Sequence, residues 1–330
     1  VAAALRGWSR RRLLGAAATG AFAALTAGCA VPRAPRPSEP ARWTFRDDTG
    51  KVVTAPRRPR RIVAYSTAAA TLWDYGIHAV GVYGALQTRG GGADPTVLGA
   101  VDLGRVAVLG RTWGQINLEV FGGLSPDLVV DPLQFGGHHI DANALGVVGE
   151  LAPVASVEIY SSGIRTSVRR SAELARALGA DGFDGRRREF EAARARLAKV
   201  AAARRDVSVL FASADPDGLR IARRGWPVIG DLESLGVSAR VPDRGESVFM
   251  EKVSWENADR RPADLILLDV RTSSLQRDQL RANRVWRALP AVRAGQTGTW
   301  NPEPVLSYRA MTGVYDELAR TLAGARPLAA

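Results

Sequence analysis

Two stretches of the chain carry the same short pattern, with their glutamates 137 residues apart. The first runs Asn117-Leu118-Glu119, then Leu124-Ser125-Pro126-Asp127-Leu128-Val129-Val130-Asp131. The second runs Ser254-Trp255-Glu256, then Arg261-Pro262-Ala263-Asp264-Leu265-Ile266-Leu267-Leu268-Asp269. In both, a glutamate precedes an Asp-Leu strand start by eight residues. Each unit reads as a short helix, a turn and a buried strand. A unit used twice predicts two similar lobes, and two lobes predict a ligand cleft between them.

The rest of the body fits that layout. Trp43 to Val53 predicts a hairpin turning at Asp48-Thr49-Gly50. Strands are expected at Arg61–Ser66, Ala79–Tyr83, Val106–Gly110, Asp127–Asp131 and Pro153–Val157, with a helix from Thr67 to Tyr75 stopped by Gly76. Strands alternating with short helices argue for a mostly parallel sheet. Ser161 to Leu178 breaks the rhythm: Ile164, Val168, Leu174, Ala175 and Leu178 fall near a helical period, with Ser161 or Ser162 as a cap and Gly179 as a stop. Eighteen residues would make a connector of roughly 27 Å, stiff enough to allow rocking of the lobes but not wide opening. A helix over Gly185–Ala203, strands at Val207–Ser213, Leu219–Ala222 and Asp264–Asp269, and a closing helix over Tyr308–Ala323 complete the second lobe. The expected divisions are 1–28, 29–42, 43–158, 159–182 and 183–330: leader, tether, first lobe, bridging helix and second lobe.

The N-terminus predicts export. Ser9-Arg10-Arg11-Arg12-Leu13-Leu14-Gly15 precedes a weakly apolar run, Ala16 to Ala27, too short to span roughly 30 Å of hydrocarbon. The paired arginines resemble a twin-arginine signal. Thr26-Ala27-Gly28-Cys29 resembles a bacterial lipoprotein cleavage site, with Leu25 one place further from the cysteine than is usual. Cys29 is the one cysteine, so an intramolecular disulfide is excluded and lipidation is its expected use. The Pro-rich stretch after it reads as an extended tether. The expected location is the outer face of the bacterial cell membrane. The chain's formal charge is +12. The leader holds four arginines and no acids, so 12 − 4 leaves +8 on the mature chain. Its arginines are scattered, with runs such as Arg186-Arg187-Arg188 on one helix, which reads as a solvated face and not as a nucleic-acid surface.

Taken together, these pieces resemble the solute-binding lipoproteins of ABC importers that carry iron–siderophores, haem or cobalamin. The resemblance runs from about Trp43 to Leu322. It rests on Arg61-Ile62-Val63-Ala64, the two repeated units, and Trp286-Arg287-Ala288-Leu289-Pro290-Ala291-Val292-Arg293-Ala294-Gly295-Gln296 ahead of a final strand. It implies an α/β fold with two Rossmann-like lobes bridged by a single long α-helix, the class III periplasmic-binding-protein-like arrangement. It also implies a monomer that works with an ABC permease dimer and its ATPase, with Glu119 and Glu256 docking into arginine pockets of the permease. Two carboxylates at fixed separation suit a two-fold partner. As residues, they equally fit exposed first-turn glutamates favoured by a helix dipole.

Ligands of open α/β sheets sit beyond the carboxyl ends of strands. That rule nominates Tyr65 and Ser66, Arg111 and Trp113, Leu133, Gln134 and Phe135, Arg223, Arg224 and Trp226, Arg271, and Trp300. Aromatics interleaved with arginines suit a large, partly apolar, anionic chelate, with a ferric siderophore the first expectation and a corrinoid or haem the alternative. The adjacent His138 and His139 have only His78 as a further histidine, short of the three or four ligands that a free-metal site needs, so no metal site is expected. Whether one of the pair touches a chelate stays open. A secreted enzyme on the same scaffold is the remaining class. The sequence contains no Gly-x-Ser-x-Gly elbow and no His-Glu-x-x-His, and Gly90-Gly91-Gly92 lacks the lysine of a phosphate loop. No cofactor is expected.

Overall fold

A computed structural model describes residues 42–88, 91–243, 247–271 and 273–328. The expected leader, Cys29 and the tether before Arg42 lie outside the described residues. An antiparallel hairpin opens the body: β1 (Trp43–Arg46) and β2 (Val52–Ala55). Its turn closes on Asp47, whose carboxylate accepts from the backbone and hydroxyl of Thr49 and from Lys51 N–H, with Gly50 at φ 84°.

The first lobe follows in order: β3 (Ile62–Tyr65), α1 (Ser66–Asp74), β4 (Gly81–Tyr83), α2 (Pro95–Leu98), β5 (Ala107–Val108), α3 (Leu118–Leu124), β6 (Leu128–Val130), β7 (Leu133–Gln134), β8 (Gly137–His138), α4 (Ala142–Leu151) and β9 (Val154–Ala155). Its main sheet is parallel throughout, in the order β5-β4-β3-β6-β9. The expected strands are all present, some only two residues long.

The connector is shorter than its sequence period predicts. Helix α5 spans Ile164–Ala177, 14 residues and so roughly 21 Å. Neither serine caps it: Ser162 Oγ donates to Glu158 O and meets Ser167 Oγ, and Gly163 occupies the cap position without a side-chain bond. The C-terminal stop is as expected, with Gly179 at φ 96° and the N–H groups of Gly179 and Ala180 reaching back to Arg176 O and Ala175 O. Helix α6 (Asp184–Ala203) then leads into the second lobe.

That lobe contains β10 (Ser208–Asp215), β11 (Gly218–Ala222), α7 (Pro227–Ser234), β12 (Ser238–Ala239), β13 (Met250–Ser254), a 3-10 helix over Trp255–Arg260, β14 (Leu265–Asp269) and β15 (Thr297–Trp300). Its sheet runs β13-β11-β10-β14-β15, with β12 also paired to β10. β10, β12, β14 and β15 are parallel, but β11 runs antiparallel to both β10 and β13, so this sheet is mixed, with β11 as its reversed strand. Here the second repeated unit uses a 3-10 helix where the first uses α3.

Strand alternation puts both faces of each sheet to use. In β3, Ile62 and Ala64 face the large core that includes α1 and α5, whereas Val63 and Tyr65 face the smaller core with Phe121 and Val148. In β10, Val209 and Phe211 join the large core and Leu210 and Ala214 the opposite one. The helix Tyr308–Gly324 buries Met311, Tyr315 and Leu318. The segment before it crosses back to the first lobe. Leu306 N–H donates to Thr71 Oγ1 and Tyr308 N–H to Tyr75 Oη, while Ser307 and Arg309 both bond the Asp74 carboxylate. The lobes are therefore stitched at a second place besides α5. No helix among the described residues is long and apolar enough to cross a membrane.

Candidate functional site

Carboxyl edges of the two sheets meet at a cluster of aromatic and charged side chains. On the first lobe, Asp131 follows β6 and is wholly buried. It accepts from Tyr83 Oη at 2.7 Å, His139 N–H at 2.9 Å and His138 Nδ1 at 3.0 Å. His139 Nδ1 lies 2.7 Å from Pro132 O, and because a carbonyl only accepts, that nitrogen carries the proton. Tyr65, at the end of β3, packs its ring 4.2 Å from His139 and edge-on to Tyr83. The histidine pair is thus occupied in holding the first-lobe wall. Among the described residues no group of three or more His, Cys, Asp and Glu is placed to hold a metal ion.

The β7–β8 hairpin carries the wall outward. Phe135 and Gly136 form its two-residue tip at φ 51° and 79°, both left-handed, as the favoured hairpin turn requires. A phenylalanine in that conformation is strained by about 1–3 kcal/mol. Gly136 N–H is anchored on Glu158, whose carboxylate also accepts from Tyr160 and Ser161 N–H. Held there, Phe135 is 53% exposed, yet its ring lies 5.5 Å from Tyr160 and 5.7 Å from Phe249 of the second lobe.

The second-lobe wall centres on Trp226, the residue before α7, which is only 6% exposed. Phe249 packs at 4.6 Å, Tyr160 at 6.1 Å and Trp300 at 6.3 Å from its ring centroid. The guanidinium of Arg271 lies 5.0 Å from the same ring. Trp226 Nε1 is buried without a hydrogen-bond partner. Arg271 forks onto Asp269 with bonds from 2.7 to 3.1 Å and reaches Glu303 at 2.6 Å, and Glu303 accepts from Tyr160 Oη at 2.8 Å. Burial works against the Arg271 charge, but the hydrogen bonds and charges of Asp269 and Glu303 outweigh it and raise the pKa above its usual value. Burial pushes the Tyr65 phenol well above its usual range, helped by Glu303 and Asp131 across the site. Tyr160 is raised by burial and by Glu303. Both phenols stay protonated at neutral pH in the protein alone, and so are hydrogen-bonding groups.

The residues nominated from sequence divide accordingly. Tyr65, Phe135, Trp226 and Arg271 come together around the lobe junction, and Gln134 is half-buried on β7 behind Phe135. Trp113 is 61% exposed, near His139, with Arg111 exposed beside it. Trp300 is a core residue beneath Trp226, its Nε1 donating to Ala212 O. Arg224 faces the surface, paired with Glu233 at 2.8 and 3.0 Å, and Arg223 donates to the carbonyls of Pro242, Asp243 and Ser247. Both arginines follow β11, which runs antiparallel, so the carboxyl-edge rule does not hold for them. Tyr160, Phe249, Glu303 and Asp131 join the site without having been nominated. Glu303, three residues past β15, satisfies the same rule that found Arg271.

Glu119 and Glu256 are both exposed in the first turn of a short helix. Asn117 caps α3, accepting from Glu119 and Val120 N–H. Asn117 N–H in turn bonds Leu109 O, just past β5. Trp255 N–H bonds Asp217 O, just past β10. Each glutamate therefore stands at the carboxyl edge of its sheet.

Two α/β lobes whose sheet edges present side chains to one junction define a protein that takes its ligand between them. The pattern of the periplasmic binding protein family matches residues 93–304, and the chain belongs to that family. A ferric-siderophore receptor protein of Streptomyces coelicolor, DesE, is 32% identical over 87% of this chain and 100% of its own, with a TM-score of 0.80. The siderophore periplasmic binding protein from the fuscachelin gene cluster of Thermobifida fusca is 21% identical over 82% of this chain and 98% of its own, with a TM-score of 0.62. The petrobactin-binding protein YclQ of Bacillus subtilis is 15% identical over 86% of this chain and 99% of its own, with a TM-score of 0.68. The latter two show the shared fold alone. No curated protein matches the chain.

Proposed function

We propose that this protein captures a ferric siderophore outside the cytoplasm and delivers it to an ABC importer. The observation that carries this is the cross-lobe cluster of Phe135, Tyr160, Trp226 and Phe249 over the Arg271–Glu303 pair. Broad aromatic faces with a few fixed polar groups suit a large, rounded chelate. The 32% identity to a ferric-siderophore receptor supports the same ligand class. In this reading Tyr65, Gln134, Phe135, Trp226 and Arg271 line the ligand site, Arg111 and Trp113 form its outer rim, and Trp300 backs Trp226. The contribution of the surface-paired Arg224 is indirect.

Glu119 and Glu256 act as the permease contacts, and Cys29 carries the lipid that holds the protein at the membrane. Titrating the purified protein with ferric siderophores of several chemical types, read by tryptophan fluorescence, tests the central claim. Saturable quenching by at least one ferric complex is expected, and no response to any of them overturns it. Cys29→Ser is expected to move the protein from the membrane fraction to the soluble one.

A further inference from the structure

We infer that the site selects ferric chelates of zero or positive net charge over anionic ones. This inference rests on the siderophore reading and concerns which siderophores are taken. Among the described residues, floor groups of the site carry more acid than base. Asp131 and Asp269 are wholly buried, Glu158 nearly so, and Glu303 is a quarter exposed. Against these four carboxylates the floor sets one guanidinium, Arg271, plus His138 hydrogen-bonded to Asp131.

Arg271 is not waiting for an anion. Its Nε, Nη1 and Nη2 all donate already to Asp269 or Glu303, and its face lies on Trp226. A ligand carboxylate or catecholate that took these bonds would leave a buried protein carboxylate unpaired, which is strongly unfavourable. The other described arginines of the second-lobe wall are committed too: Arg224 to Glu233, and Arg223 to three backbone carbonyls. Arg111, exposed on the rim, does not reverse the balance.

What the described residues of the inner wall leave for a ligand is uncharged. Trp226 Nε1 is a buried donor without a partner, an arrangement that a ligand oxygen would complete. The Tyr65 phenol, on the first-lobe wall, stays protonated. The ring faces of Phe135, Trp226 and Phe249 attract cations and repel anions through their quadrupoles. Three hydroxamates each bring one negative charge and neutralise ferric iron. A pendant ammonium makes such a complex cationic, whereas three catecholates leave three negative charges. The site fits the hydroxamate side of that division.

Affinities for three ferric complexes test this in one fluorescence titration: a neutral tris-hydroxamate, a tris-hydroxamate with a free ammonium group, and a tris-catecholate. The two hydroxamates are expected to bind at least about tenfold more tightly than the catecholate. Glu303→Gln is expected to narrow that ratio by about threefold or more. Equal or tighter catecholate binding in the wild-type protein overturns the inference while leaving the siderophore reading intact. A ratio unchanged in a folded Glu303→Gln variant also overturns it. Binding of none of the three, with binding of some other ferric chelate, refutes the charge rule. Failure of every ferric chelate removes both readings.

Discussion

Asp127 and Asp264 perform the same task in different lobes. Asp127 N–H donates to Arg61 O while its carboxylate accepts from Arg60 and Arg61 N–H, fixing the start of β6 to the start of β3. Asp264 N–H donates to Ser208 O while its carboxylate accepts from Ser208 N–H and Oγ, fixing β14 to β10. The Asp-Leu step of the repeated sequence is thus a strand-register clamp, used once per lobe. It explains why an aspartate stands at the mouth of each buried strand, where polar groups must find partners.

Asp264→Asn should destabilise the protein by about 1–2 kcal/mol, since an amide loses charge-assisted bonds that neutral donors cannot replace in full. Burial disfavours the Asp264 charge, but hydrogen bonds from Ser208 and Leu328 N–H prevail and hold its pKa below the usual value. A depressed folded pKa stabilises above the unfolded value and loses that contribution as pH falls through the folded one. Urea unfolding from pH 7 down to pH 3 should therefore show a shallower acid limb for the variant. An identical slope would refute the clamp's electrostatic role.

Much of this fold was legible in advance because the repeated unit and the strand runs are short-range patterns. The bridging helix was overextended because Ser161 and Ser162 look like caps. In the fold Glu158 takes up Ser161 N–H and its backbone carbonyl holds Ser162 Oγ, which keeps both outside the helix. The candidate site was legible where a parallel strand delivers a residue to the lobe junction, as for Tyr65 and Arg271. Tyr160, five residues past the parallel strand β9, satisfies the same rule without having been nominated. Phe249 was not legible: it precedes β13 and enters through contacts with residues far away in sequence. Nor does any local pattern in the sequence specify that Glu233 pairs with Arg224 and that Asp269 and Glu303 pair with Arg271.

Asp74 should govern how firmly the two lobes are held together. Its nearly buried carboxylate takes both Ser307 and Arg309 from the returning segment, and its carbonyl accepts from Arg186. Asp74→Ala is expected to destabilise by about 1–3 kcal/mol. Amide exchange at Leu306 and Tyr308, whose N–H groups bond Thr71 and Tyr75 nearby, should speed up more than exchange in β3 or β10. Uniform acceleration across the chain would mean that Asp74 contributes to global stability only and not to a local joint.

Phe135 combines strain with exposure, so its substitution separates stability from binding. Asn tolerates left-handed backbone and is favoured in this turn, so Phe135→Asn relieves strain while losing the rings of Tyr160 and Phe249. The two effects oppose one another at about 1 kcal/mol each, and the melting temperature should barely move. Chelate affinity should fall about fivefold or more, because the first-lobe aromatic face is gone. Unchanged affinity in a folded variant would remove Phe135 from the site.

Glu119 and Glu256 should matter for delivery and not for capture. Neither takes part in the aromatic cluster, and both are exposed beside the carboxyl edges of their sheets. A hydrogen bond from Ser254 holds the Glu256 pKa below its ordinary value, so that side chain is fully charged at neutral pH and presents a constant anion to a cationic partner. Replacing both by alanine should leave ferric chelate affinity within about twofold of wild type while abolishing stimulation of the importer's ATPase in membranes. Each single substitution should lower stimulation by raising the concentration of binding protein needed, not the maximal rate, since a rim charge acts mainly on encounter and orientation. Loss of chelate binding in the double variant would place these carboxylates in the ligand site. Full stimulation would leave the repeated glutamates with no role beyond the first turn of their helices.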